Sequence, residues 1–403
     1  MNTKATALVL FGLTAAAVAL VPALKPQAGV SPPEPPIHGI QLPRTNGQRP
    51  VIDALFVLDT TGSMGGLIQT AKEKIWSIAS TLASAQPAPE IRMGLVAYRD
   101  RGDDYVTRVL DLSSDLDSIH TALAGLQAQG GGDGPEDVNQ ALYDAVHRVS
   151  WSQDPTAYKV IFLVGDAPPH LDYPNQAQYP EVLTEARRRG IRVNAVQCGG
   201  LTETTADWQR IAQLGDGSYF RVDQAGGAVA IATPYDEDLA RLSARLDETR
   251  LYYGSAGERA ERDEEIAAAR KVQAASAPAV LARRAGYLAS DSGKSSLAAK
   301  QELVEEVQSG RVDLNTLPAE QLPAPLARLD PEARLELIEK KAEEREGLTR
   351  QIKDLAKERS RYLRAQVEAA GGAADSLDRK LYETVKSQTS AAGLQYKGDG
   401  PEY

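Results

Sequence analysis

Asp59, Thr61 and Ser63 stand at alternate positions in the stretch Leu58-Asp59-Thr60-Thr61-Gly62-Ser63-Met64. One carboxylate and two hydroxyls are hard oxygen groups, the type that binds Mg²⁺ and leaves coordination positions to water. Two more acidic loops follow along the chain. Gly130-Gly131-Gly132-Asp133-Gly134-Pro135-Glu136-Asp137 carries Asp133 and Glu136, and Gly165-Asp166-Ala167-Pro168-Pro169-His170 carries Asp166. A cation held this sparsely keeps open positions, and the Glu or Asp of a partner protein would complete its shell.

Three loops act together only if a scaffold brings them to one point. The apolar run 51–58 leads into the first loop and a helical run, 64–85, leads out. In that run Leu67, Ile68, Ala71, Ile75, Ile78, Ala79 and Leu82 recur at spacings that make one apolar face. Further strand-like runs cover 91–98, 105–112, 159–164, 191–197 and 218–222. Helical patterns cover 114–126, 136–149, 177–189 and 204–214. The run Val160-Ile161-Phe162-Leu163-Val164 shows no polar alternation, as expected of a central strand covered on both faces. Alternating strands and helices predict an α/β fold, a doubly wound and mostly parallel sheet with right-handed crossovers. Runs 91–98 and 105–112, joined by a short polar loop, are the expected antiparallel pair at one edge. In such sheets ligands bind at the carboxyl ends of the strands, where the first and third loops fall; the second, opening a helix between them, can converge on the same point.

The bulk properties narrow the setting. With 403 residues the chain has room for two or three domains. A net charge of -10 argues against nucleic-acid binding, which needs clustered Lys and Arg. Lys4, the apolar stretch from Ala5 to Val21 and the small-residue site Val21-Pro22-Ala23 read as an export signal over 1–23, or as an N-terminal anchor if retained. Residues 24–50 form a Pro-rich linker. An exported protein, periplasmic or secreted, is expected, with membrane attachment only if the N-terminal segment stays. The single cysteine, Cys198, excludes an intramolecular disulfide.

After about residue 233 strand-like runs vanish. The expected domain 51–233 is followed by an α-helical region, 234–403. Its helices are expected over 236–253, 258–275, 296–309 and 331–370, with a loosely ordered tail from 388. Leu348, Ile352, Leu355 and Tyr362 fit a heptad seam that Arg359 interrupts. A hairpin packed within the chain and a coiled-coil dimer, a route to self-association, both suit that pattern.

The loops together carry a resemblance. From about 51 to 223 the chain resembles the von Willebrand factor type A domain, in the branch with an Asp-x-Thr-Gly-Ser first loop and a Gly-Gly-Gly-Asp-x-Pro-Glu second loop. The resemblance implies a Rossmann-like sheet with a metal-ion-dependent adhesion site. It implies that Thr61 and Ser63 ligate a divalent cation through their hydroxyls while Asp59 and Asp166 hold its waters. The cation would be Mg²⁺, with Mn²⁺ or Ca²⁺ as alternatives. Integrin-type members take a Thr from the second loop, and none occurs there; Asp133 is assigned that role, with Glu136 as the alternative.

Competing readings exist for each motif. Ser, Thr and Asp before a helix are commonly only caps. The first loop looks like the phosphorylated loop of cation-pumping ATPases, but position 60 is not Lys, and the related phosphatases would want an Asp at position 61. His170 suits a polar loop better than a zinc site, because His38, His120 and His147 are scattered. Arg101-Gly102-Asp103 spells an integrin-recognition tripeptide, yet reads more simply as a polar connection between edge strands. The expected function is binding, adhesion or scaffolding through a cation, without catalysis. The alternative is a metal-dependent hydrolase, for which no general base is evident.

Overall fold

The computed structural model describes residues 49–132, 134–226, 231–297, 301–371, 376–398 and 400–401. The expected export signal, nearly all of the linker, and Asp133 lie outside the described residues. Six strands form one sheet in the order β3-β2-β1-β4-β5-β6. They are β1 Val51–Asp59, β2 Glu90–Tyr98, β3 Thr107–Ser113, β4 Tyr158–Gly165, β5 Ile191–Cys198 and β6 Tyr219–Val222. All neighbours run parallel except β2 and β3, the antiparallel edge pair.

Five helices alternate with these strands: α1 Gly65–Ala83, α2 Leu116–Ala124, α3 Val138–His147, α4 Tyr179–Arg188 and α5 Thr202–Leu214. Side chains alternate across the sheet with the period of two that a strand imposes. Ile52, Ala54 and Leu58 of β1 enter one apolar layer with α1 and α2. Leu55 and Val57 enter the other, with α3, α4 and α5. The β4 run is buried from Val160 to Val164, as a doubly covered central strand must be.

The longer helices of the remainder are α6 Asp236–Asp247, α7 Ala256–Ala275, α8 Pro278–Ala289, α9 Leu303–Gln308, α10 Pro331–Ala369 and α11 Leu377–Gln388. These helices share a core with the sheet. Leu239, Leu246, Ala285, Tyr287, Leu381 and Val385 join the layer that contains β1 and α1. Helix α8 packs on α1 and α6, α10 on α6 and α8, and α11 on α1. A smaller cluster, including Leu251, Leu303, Leu326 and Ile338, closes the far end.

The structure differs from the local expectations at two places, α8 and the C-terminal end. Helix α8 has no counterpart in the pattern reading, because Arg283-Arg284 interrupts its apolar face. The fold accommodates Arg284 fully buried, bonded to Asp117 of α2 at 2.6 Å and to Asp247 of α6 at 2.7 Å. Helix α11 likewise has no counterpart in the pattern reading, and the tail from 388 is not loose, since Leu394 and Tyr396 are buried. Gln395 there exchanges two backbone bonds with Gln86, 2.8 and 2.9 Å long. The α10 seam is spent inside the chain, with Leu348, Ile352, Leu363 and Val367 buried. Arg359 is tolerated in it because its Nε donates to Asp236 at 2.8 Å. Among the described residues no helix is long and apolar enough to cross a membrane.

Candidate metal centre

Asp59 ends β1 at the centre of the sheet, level with Tyr98 at the end of β2. Its carboxylate is fully buried. Oδ1 accepts two bonds from Thr61, from the backbone N–H at 2.8 Å and the hydroxyl at 2.7 Å. Oδ2 has no hydrogen-bond partner among the described residues. Burial raises the Asp59 pKa to about 7; the Thr61 bonds pull against this, the Asp166 charge adds to it and Arg99 opposes it. A buried, unpaired carboxylate oxygen is costly, and a cation is a group that would relieve it.

Thr61 precedes and Ser63 lies on the turn Gly62–Met64 that opens α1, their hydroxyls 3.5 Å apart. Thr61, at the cap position of this turn, makes no side-chain capping bond. The Thr61 hydroxyl donates to Asp59 instead, which keeps acceptor capacity on its oxygen. Thr61 is buried and Ser63 is exposed, so the pair runs from the sheet edge to the surface.

The second loop is stitched to the first by the backbone. Gln129 N–H donates to Thr60 O at 3.1 Å, and Gly62 N–H donates to Gly130 O at 3.2 Å. Gly131 takes φ +71°, and a Cβ there would lie 2.8 Å from Glu136 Oε1 and 3.3 Å from Thr61 Cβ. The glycine thus lets the Glu136 carboxylate and the Thr61 side chain flank one point. Glu136 is buried and ties the second loop to the third, its N–H donating to Pro168 O at 2.9 Å and its carbonyl accepting from His170 N–H at 3.0 Å. Of the two second-loop candidates, Glu136 is therefore seen beside Thr61, while Asp133 lies outside the described residues.

Asp166, half-buried on the third loop, accepts a 2.6 Å bond from Gln224 Nε2. Among the described residues no group of three or more His, Cys, Asp or Glu has metal-holding geometry. The hydroxyls of Thr61 and Ser63 fall outside those residue types. The donor set is oxygen alone, two hydroxyls with Asp59, Asp166 and Glu136, which fits a hard divalent cation.

Three further residues shape the centre without a motif to announce them. Tyr98 is fully buried, and its hydroxyl has no hydrogen-bond partner among the described residues. A Cβ at Gly165 would lie 2.6 Å from that hydroxyl and 3.0 Å from Asp59 Cβ, so a side chain there would collide with both. Burial and the charges of Asp59, Glu136 and Asp166 push the phenol pKa well above its usual value. Arg99 bonds Thr60 O at 3.2 Å and Gln127 O at 2.8 Å, bracing the first and second loops together. Gln224, beyond β6, reaches both Asp166 and Ser63 O, the latter at 3.4 Å. For Tyr98 alone a signal existed, a tyrosine closing the strand expected beside β1.

The integrin-like tripeptide is engaged internally. Arg101 Nε lies 3.1 Å from Asp137 Oδ2, and its guanidinium covers the Tyr173 ring at 4.0 Å. Asp103 Oδ2 accepts from Gly131 N–H at 2.9 Å and helps seat the second loop. His170 bonds Asp172 at 2.8 Å and stacks on Tyr173.

Residues 54–234 match the model of a family described as von Willebrand factor A domain. An ariadne-like RING finger protein of Acanthamoeba polyphaga mimivirus is 29% identical over 120 residues, 30% of this chain and 11% of that protein. The alpha-protein kinase vwkA of Dictyostelium discoideum is 29% identical over 133 residues, 32% of this chain and 21% of the kinase. The chain thus spans about a tenth and a fifth of these relatives' lengths. Among solved structures, the SpRpn10 VWA domain is similar at 14% identity and a TM-score of 0.34, covering 44% of this chain and 89% of that one. Proximal thread matrix protein 1 from the mussel byssus, with a zinc-occupied MIDAS motif, is similar at 18% identity and a TM-score of 0.34, covering 43% of this chain and 42% of that one.

Proposed function

We propose, from the premise that residues 54–234 are a von Willebrand factor A domain, that the protein binds a partner protein through a divalent cation held at the three loops. The observation that carries this reading is the buried Asp59 Oδ2, which has no hydrogen-bond partner among the described residues at the end of the central strand. Thr61 and Ser63 would hold the cation through their hydroxyls, with Asp59, Asp166 and Glu136 (or Asp133) as its carboxylate support. When bound, the cation supplies a Lewis-acidic position to which a partner's Glu or Asp can attach.

The chain's own residues position this set. Asp59 orients the Thr61 hydroxyl, Gly131 leaves room beside it, and Gln224 holds Asp166 at the rim. Mg²⁺ suits the all-oxygen set, and Mn²⁺ and Ca²⁺ are close substitutes. An extracytoplasmic scaffold or adhesion role follows if the N-terminal segment acts as an export signal. Capture of partners on immobilised full-length protein in Mg²⁺ or in EDTA tests the proposal. Binding that is lost in EDTA, in Ser63→Ala and on competition with free acetate is expected. Binding indifferent to all three contradicts it.

The enzymatic alternative is a hydrolase using the same cation to activate water. A phosphatase and nuclease screen with and without EDTA separates it from binding, since only the hydrolase turns substrate over.

A further inference from the structure

A polar cavity lies away from the loops, between α1, α8 and α10. It has a volume of about 220 Å³. Arg283 and Arg359 line it together with Ser80, Ser84, Ser290 and Ser360. The four serines are half-buried, so they form the mouth, whereas both arginines are buried. Small residues on the three helices, among them Ala83, Gly286 and Ala356, leave the space open.

Two of the three buried cations near this cavity have direct ion pairs among the described residues, and the third does not. Lys74 pairs with Asp378 at 2.8 Å, and Arg359 pairs with Asp236 at 2.8 Å. Arg283 forms no ion pair among the described residues although it is only 7% exposed. Among the described residues its Nε has no hydrogen-bond partner, and one terminal nitrogen makes a single long bond, 3.4 Å, to Ala279 O. Burial and the neighbouring Arg359 pull its pKa down to about 10, against the weaker effects of the Asp378, Asp236 and Glu73 charges. A guanidinium in that position is expensive unless something negative meets it. Arginine offers a planar fork of donors that matches tetrahedral and planar oxyanions, and serine hydroxyls donate to the same oxygens.

We propose that the cavity between α1, α8 and α10 is a binding site for a phosphate-class oxyanion, with Arg283 as its principal ligand and Arg359 and the serine hydroxyls around it. The anion joins the von Willebrand factor A domain, through α1, to two helices of the C-terminal region, so its binding stabilises their packing by mass action. This site is independent of the cation proposed at the loops.

The test uses the full-length protein with inorganic phosphate as the probe and chloride at matched ionic strength as the reference. Calorimetry should detect phosphate binding that weakens at least tenfold in Arg283→Met and is partly restored in Arg283→Lys. The thermal midpoint of the wild type should rise with phosphate over chloride. The midpoint of Arg283→Met should be higher than wild type in chloride, because a buried unpaired cation is gone, and should not respond to phosphate. Sulfate separates a general preference for tetrahedral oxyanions from one for phosphate, and either result supports the site. Equal phosphate shifts in wild type and Arg283→Met would mean general salt stabilisation and overturn it. So would the absence of calorimetric binding in a wild type shown to be folded.

Discussion

Asp59 carries the chemical argument at the scale of the residue. Its pKa is raised from an ordinary 3.8 to about 7 by burial, so the folded chain without cation holds a proton there that the unfolded chain releases. The resulting penalty is absent below about pH 4, grows as pH rises and is complete above about pH 7. Asp59→Asn removes the charge and keeps the shape. In EDTA at pH 8 it should therefore be more stable than wild type by about 2–4 kcal/mol, and the gain should fade toward pH 4. Urea unfolding at the two pH values checks this. Glu136→Gln should weaken Mn²⁺ binding on the order of tenfold, as outer carboxylates around metals commonly do. An unchanged affinity would leave the second-loop role to Asp133. These residue types were legible as a hard-oxygen set because alternate spacing on a strand-to-helix loop is a local pattern. Arg99 and Gln224 were not, since their roles arise from loop crossing, which no local spacing encodes, and Tyr98 was legible only as the residue closing the neighbouring strand.

Periodicity settles the elements where one face is buried and fails where charge is buried. The β4 run and the α1 face were readable because their apolar patterns are unbroken. Helix α8 was not, because Arg283-Arg284 breaks the pattern, and Arg284 is accommodated only by carboxylates from α2 and α6 far away in sequence. Helix α11 shows the same principle through Asp378, whose buried partner Lys74 sits on α1. Asp378→Asn should cost about 3–5 kcal/mol, because it strands a buried ammonium. Replacing both, as Lys74→Met with Asp378→Leu, should recover most of that loss. Denaturant unfolding of the single and double variants measures the difference, and additive losses would show that the pair is not coupled. The α10 seam was ambiguous for a simpler reason. A heptad records that a face is buried and does not record whether the cover comes from the same chain.

Across the whole molecule the helices α6, α8 and α11 cover the same layer that β1 and α1 supply. The sequence reading separates a sheet domain from a helical region because composition changes near residue 233, but burial crosses that line. Residues 44–235 alone would expose the apolar face of α1, where Trp76, Ile78, Ala79 and Leu82 are now buried. Such a fragment is expected to aggregate or to melt well below the full-length protein, by static light scattering and circular dichroism. A fragment as stable as the whole would show that the helices contribute no cover. For the same reason metal binding is best measured on the full-length protein.

The central claim is that the loops around Asp59 hold a divalent cation. Calorimetric titration of the full-length protein with Mn²⁺ or Mg²⁺, beside Asp59→Ala, tests it most directly. The account predicts one site per chain in the wild type and none in Asp59→Ala, with both proteins folded. No binding by the wild type, or equal binding by the variant, would contradict it.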